Sequence, residues 1–338
     1  MFITGGTGFI GYRVIVEALK AGYTVRAAVR SHDKAKKILS APSIKALNPG
    51  DKLSFVEVPE LKEDGAYDSA IQGVKYVIHV ASPTTGSFPK DGDLKVHFVD
   101  PAVKGTMGLL QAAHKAGSVE RIVITSSGVG IIPFSELVSG KSEIVFDENS
   151  RIATPLKYDS IFEAYSAGKA AALNEAEEWV EKTHPSFSVV HIFPSFVIGK
   201  DELVTDIKDA FVSTNKAVLL PVTGGDDGYR PGVSVHVEDV AKAHVRALDS
   251  RAVATKGLLL SAGGVQGIQW EDSKSIVAEK FKDAVESGIL TNDGKLATLP
   301  LKVDASRSEK ILGYKFRSFE EQVTSVVSHY LELVDNSL

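Results

Sequence analysis

The chain has 338 residues, 43% of them hydrophobic and 24% charged, with a net charge of -5. These values describe an ordinary globular protein with enough length for one large α/β domain and a smaller appended part, and they give no reason to expect nucleic acid as a partner. There is no cysteine, which excludes disulfides, thiolate catalysis and cysteine metal sites.

The first ten residues set up the rest. Phe2-Ile3-Thr4 is a short apolar run, Gly5-Gly6-Thr7-Gly8-Phe9-Ile10-Gly11 a glycine-rich turn, and Tyr12–Ala21 an amphipathic helix. Strand, glycine turn and helix open a dinucleotide-binding unit. The glycines read as Gly6-Gly8-Gly11 or as Gly5-Gly8-Gly11; either spacing lets a pyrophosphate approach free N–H groups at a helix start. No signal peptide is expected, because the first strand starts at Met1; that strand is short, and a few residues are expected to be missing before it. No apolar run reaches the roughly 18 residues that span a membrane. A cytoplasmic protein is expected.

Strands follow at Tyr23–Arg30, Leu53–Val58 and Val74–Val80, with a helix beginning in Asp33–Lys37 and a short one at Tyr67–Gln72. A long helix is expected from Leu94 to Ala116, with Pro101 near its start as a first-turn residue or kink. A fifth strand spans Arg121–Thr125 and a sixth Ser188–Phe193, separated by an irregular insertion (128–159) and a helix over Phe162–Lys182. This alternation predicts an α/β protein of Rossmann type, a doubly wound parallel sheet, with a smaller C-terminal substrate-binding lobe. The expected division is 1–193 plus a sheet return near 232–250 for the nucleotide-binding domain, and 194–231 with 251–338 for the lobe.

Among nine tyrosines only Tyr165 has a lysine, Lys169, four residues later. On a helix the two share a face, and an ammonium there is expected to lower the phenol's pKa and fit it for proton exchange. Ser126 and Ser127 end the fifth strand, where open α/β sheets bind their ligands; either hydroxyl could hydrogen-bond a carbonyl oxygen. Beyond the second strand, Val29, Arg30 and Ser31 stand where an NAD site has an acid about 20 positions after the turn. Arg30, with Lys34, predicts a 2′-phosphate and hence NADP(H), although nearby Asp33 could serve NAD if the strand ended later.

Together these stretches resemble the dihydroflavonol-reductase-like branch of the extended short-chain dehydrogenases/reductases, which includes yeast and fungal NADPH-dependent carbonyl and aldehyde reductases. The matching segments are TGGTGFIG, VRAAVRS, VIHVASP, RIVITSS, YSAGK, PSFVIG, VHVEDVAKAH and DASRSEKILGYKFRSFEEQV. The resemblance implies reduction of a ketone or aldehyde to an alcohol. Ser127 would polarise the carbonyl, Tyr165 donate the proton, and Lys169 hold the nicotinamide ribose. It places the cofactor against Gly5, Thr7, Gly8, Phe9 and Ile10, then Arg30 and Lys34, Glu60 and Leu61, and Val80, Ala81 and Ser82. Thr125, Tyr165, Lys169, Pro194, Phe196 and Val197 complete its set. Phe88, Phe134, Tyr158 and Phe196 could line a substrate pocket or belong to the core. His79 reads as structural, and the nine histidines show no metal spacing, so no metal is expected.

Glu60 stands where the family often has an aspartate. Phe162-Glu163-Ala164 differs from the Asn-Trp-Tyr of cinnamoyl-CoA reductases at that point. PSFVIG lacks the Asn-x-Tyr-Gly of nucleotide-sugar epimerases and dehydratases. Such an epimerase or dehydratase with tightly bound NAD is one alternative; a non-catalytic NADP-sensing regulator is the other. The expected partner is a small carbonyl compound, and the assembly a monomer or homodimer.

Overall fold

The computed structural model describes residues 1–84 and 92–337. Its elements begin with β1 (Phe2–Thr4), α1 (Phe9–Lys20), β2 (Val25–Val29), α2 (His32–Ser40), α3 (Pro42–Leu47), β3 (Leu53–Glu57) and β4 (Tyr76–His79). Then come α4 (Asp100–Ala116), β5 (Arg121–Thr125), α5 (Phe134–Ser139), β6 (Val145–Phe146), α6 (Ile161–Thr183) and β7 (Ser188–Pro194). The C-terminal part holds β8 (Phe196–Ile198), α7 (Lys216–Val222), β9 (Asp226–Pro231), β10 (Ser234–His236), α8 (Val237–Arg246) and β11 (Gly257–Leu260). It ends with α9 (Asp272–Lys280), α10 (Lys282–Glu286), β12 (Lys295–Leu299), β13 (Lys302–Val303), α11 (Ser306–Leu312) and α12 (Phe319–Asp335).

The main sheet has seven strands in the order β11-β7-β5-β4-β1-β2-β3. Strand order reverses between β1 and β4, which is the topological switch point where open parallel sheets bind ligands. The strands are apolar runs because helices cover both faces; all five residues of β5 are buried.

The chain forms two compact units: Met1–Phe134, Glu148–Phe193 and Ala241–Leu258 in the first, Ser135–Asp147, Pro194–Val240 and Leu259–Leu338 in the second. The first centres on Phe2, Tyr67, Leu109, Ile122 and neighbouring apolar residues. Arg121, 5% exposed, pins its C-terminal segment by donating from Nε to the Ala247 carbonyl and from Nη2 to that of Val253. The second unit is built on Trp270, fully buried between Phe196 and Phe319, with its indole N–H donated to the Pro231 carbonyl at 2.9 Å. Its β8 and β10 pair with each other, as do β9 and β12.

Four details differ from the sequence reading. Tyr67–Gln72 is a run of turns rather than a helix; Gly65 and Gly73, both at positive φ, bracket a stretch too short to propagate one. The long helix opens with a π turn over Lys95–Val99 before α4 begins, because Pro101 has no N–H to give to the His97 carbonyl. The sheet return expected near Gly232–Val237 is instead β10 in its own two-stranded sheet, and the seventh strand is β11. The insertion is not wholly irregular: within the second unit its β6 pairs with β13, Val145 opposite Lys302 and Phe146 opposite Val303.

Candidate active site

The glycine turn closes over the switch point. Gly5 has φ +73, and a Cβ there would lie 2.6 Å from the Ala81 backbone nitrogen, so the loops after β1 and β4 touch. A Cβ on Gly11 would lie 2.1 Å from the Gly5 carbonyl oxygen. Gly8 has only an ordinary 3.5 Å contact, and Gly6 would meet the movable end of Ile15. Sterics therefore favour the Gly5-Gly8-Gly11 reading. Gly8 caps α1 without a side chain, and no acid lies in that helix's first turn. The free N–H groups and positive end of the helix dipole are left for an anion.

At the rim of the same unit, β2 ends at Val29 and the exposed Arg30 follows. Lys34, also exposed, lies in the first turn of α2, which starts after Ser31. Asp33 is taken up by Lys36 at 3.0 Å, and Glu57, opposite Val29 on β3, lies 3.8 Å from His32. Glu60 is exposed beside Lys62 at 3.8 Å, and Leu61 packs against the first core. Val80 and Ala81 are tied to β1, their N–H groups reaching the Thr4 carbonyl and Thr4 Oγ1.

α6 brings the tyrosine and lysine to the end of β5. It starts under a Ser160 cap, whose Oγ accepts the Glu163 N–H at 3.2 Å. Its buried face is small: Ala164, Ala167, Gly168 and Ala171 let the helix lie close to its neighbours. Ser166 Oγ donates to the Val129 carbonyl at 2.7 Å and fixes the loop after β5. Lys169 is 7% exposed, donates from Nζ to the Thr125 carbonyl at 3.2 Å, and sits 5.8 Å from the centre of the Tyr165 ring. Burial draws its ammonium down to about 8.

The expected lowering of the Tyr165 pKa by Lys169 is corrected by the structure. Burial raises the phenol, opposed only in part by a hydrogen bond from Ser127. The Lys169 ammonium is aimed at the Thr125 carbonyl, and at this separation it does not overcome desolvation. Tyr165 bonds to Ser127, whereas Ser126 is buried and gives its N–H to the Ile192 carbonyl. Ser127 Oγ accepts the Val129 N–H at 3.4 Å, which leaves its single proton for the hydrogen bond to Tyr165.

Ser127, Tyr165, Lys169 and Thr125 thus come together in the first unit, which also contains the turn and the Arg30–Lys34 rim. Phe134 meets Phe162 edge-on at 5.8 Å, and Phe162 stacks on Tyr165 at 6.4 Å. Tyr158 is partly buried and Phe88 lies outside the described residues. Pro194, Phe196 and Val197 belong to the second unit, where Arg230 lies over the Phe196 ring at 5.0 Å. Two contacts were not read from the sequence: His244 Nε2 with Thr125 Oγ1 at 2.7 Å, and His79 Nδ1 with Thr4 Oγ1 at 2.8 Å. The available signal was a histidine interrupting or flanking an apolar segment. Among the described residues no group of three or more metal-binding side chains occurs, and no helix is long and apolar enough to cross a membrane.

Compared with known proteins, residues 1–260 match the model of the NAD-dependent epimerase/dehydratase family. The chain is 37% identical over 342 residues to the ketoreductase CTB6 of Cercospora beticola, covering 98% of this chain and 95% of that one. It is 35% identical over 345 residues to the NAD-dependent epimerase/dehydratase ALT6 of Alternaria alternata, covering 96% of each. Among solved structures, the yeast methylglyoxal/isovaleraldehyde reductase Gre2 complexed with NADPH matches with a TM-score of 0.81 at 26% identity, covering 99% of this chain and 98% of that one.

Proposed function

The chain belongs to the NAD-dependent epimerase/dehydratase family of extended short-chain dehydrogenases/reductases and is an oxidoreductase, and from that premise we propose that it reduces a ketone or aldehyde to an alcohol with NADPH. The observation that carries the proposal is the convergence of Ser127, Tyr165 and Lys169 at the C-terminal end of β5. The ketoreductase name of CTB6 and the NADPH of the Gre2 complex support it. The first unit would bind the cofactor and the second would contribute to substrate choice.

The residues present fit NADPH. The uncapped start of α1 and the Gly5–Gly11 cradle, which side chains would fill, suit a pyrophosphate. Arg30 and Lys34 suit a 2′-phosphate, which a carboxylate would repel. When bound, NADPH supplies a hydride to the carbonyl carbon. Ser127 donates its hydroxyl proton in a hydrogen bond to the carbonyl oxygen, and Tyr165 transfers its phenol proton to that oxygen. A raised pKa suits this direction, because it keeps the phenol protonated at neutral pH until the substrate oxygen becomes basic. Lys169 would hold the ribose hydroxyls and stabilise the phenolate left behind.

ALT6 carries the epimerase/dehydratase name, and that activity would retain NAD tightly. Denaturing the purified protein and identifying any released nucleotide separates the two readings. The proposal expects NADPH to bind and leave freely; stoichiometric retained NAD would contradict it.

A further inference from the structure

Phe162 lies on α6 one turn before Tyr165, and its ring is nearly parallel to the tyrosine's, with 16° between planes and 6.4 Å between centroids. Phe134 meets it edge-on at 5.8 Å. Residues three or four apart share a helix face, so Phe162, Tyr165 and Lys169 run in order along one side of α6. Phe162 stands about 4.5 Å from Tyr165 along the helix axis, on the side away from Lys169. Both ring contacts together still leave it 41% exposed. Leu156 and Val212 are more exposed, and single apolar residues at a surface require no function. Phe162 differs from them because its ring stands against the proposed proton donor.

The helix around it offers no free charge. Glu163, the acid of the first turn, is turned back on the capping loop, where Oε2 accepts the Asp159 N–H at 2.6 Å. Ser166 is buried and donates its hydroxyl proton to the Val129 carbonyl. Ala164 is fully buried.

We infer that Phe162 is the specificity-determining residue that receives an aryl group attached to the substrate carbonyl, which makes aryl ketones and aryl aldehydes the favoured substrate class. Its place in turnover rests on the proposed carbonyl reduction. In that reading Lys169 marks the cofactor end of the row and Tyr165 holds the carbonyl oxygen. A substituent that points away from the cofactor then passes over Phe162. A planar ring there would meet an exposed aromatic face, in the offset or edge-to-face arrangement that aromatic pairs prefer. Phe134 braces the Phe162 ring from the side, so the platform stands before the substrate arrives. A saturated ring of equal size would cover the same area without the aromatic contact, so the site selects by ring character as well as by bulk.

The test compares acetophenone with cyclohexyl methyl ketone, which match in size and differ in the ring. Taking the ratio of their kcat/KM values cancels any change that affects both alike, including a loss of support for Tyr165. Phe162→Ala and Phe162→Leu should each lower the acetophenone-to-cyclohexyl ratio by at least about fivefold, and Phe162→Tyr should keep it. A ratio that stays within about twofold of wild type in either of the first two variants would overturn the inference. If Phe162→Ala does not fold, Phe162→Leu against Phe162→Tyr decides. A second readout needs no turnover, because a ketone cannot be reduced in the presence of NADP+ alone. Saturation-transfer NMR of acetophenone with the protein and NADP+ should show phenyl signals that weaken in Phe162→Ala and persist in Phe162→Tyr. Equal signals in wild type and Phe162→Ala would also overturn the inference. A wild type that reduces neither ketone yet shows the expected NMR pattern would sink the functional proposal and leave the aryl site standing.

Discussion

Lys169 and the Arg30–Lys34 pair are cations of one unit in opposite surroundings. Lys169 is 7% exposed and its ammonium is drawn down to about 8; Arg30 and Lys34 stand in solvent at the end of β2 and the start of α2. The buried charge is held by particular atoms, so a small change around it moves its protonation. In the proposed role the exposed pair would act through field and geometry on a ligand phosphate, and salt would weaken it. Burial also sets the neighbouring phenol, which is raised rather than lowered. At the buried end desolvation is the largest influence on both groups.

The largest expected effect tests the buried end. Tyr165→Phe removes the acidic proton and little volume. Carbonyl reduction should fall by at least about 10²-fold, the scale of a general acid, while NADPH binding stays near wild type. Turnover within a few-fold of wild type would move the acid elsewhere.

Next comes Lys169. Its folded pKa of about 8 lies below the ordinary 10.5, so between those values the unfolded chain binds more protons than the folded one. This group's contribution to stability therefore rises with pH across that window, by up to about 3 kcal/mol. Below pH 8 the folded protein bears the full cost of the buried charge. Lys169→Met should be more stable than wild type in urea unfolding at pH 7, and the gap should close by pH 10.5. It should also bind NADPH more weakly. A stability gap that does not change with pH would mean that Lys169 is not desolvated as described.

The smallest effect belongs to the rim. Wild type should prefer NADPH to NADH by at least about tenfold in kcat/KM, equivalent to about 1.4 kcal/mol. Arg30→Ala should erase most of that preference by harming NADPH use alone, and added salt should shrink it in wild type. A salt-independent preference that survives the substitution would break the contrast between buried and exposed charge.

The sequence made some of this legible. β5 was read with its observed bounds, and α6 within a residue at each end, because an unbroken apolar run and an alanine-rich helix declare themselves locally. The glycine turn was legible, but which glycines are sterically required depended on how near the loop after β4 comes to Gly5. Tyr165 and Lys169 could be placed on one helix face. The direction of the phenol's pKa shift could not be read, since helix spacing gives neither burial nor the aim of an ammonium. The shared row of His79 and His191 was missed for a related reason. The two lie more than a hundred residues apart, and only strand register puts them on one face of the sheet. Substrate choice stayed out of reach because the segments expected to shape it contain short elements with weak local patterns, such as β6 and β8.

The most direct test of the central claim follows NADPH absorbance with wild-type protein over a panel of aromatic ketones, keto esters and aldehydes. Tyr165→Phe is run alongside as the control. NADPH oxidation that requires a carbonyl compound, produces the alcohol in equal amount and collapses in the variant is the predicted result. No carbonyl-dependent oxidation by wild type across the panel, or equal oxidation by the variant, would contradict it.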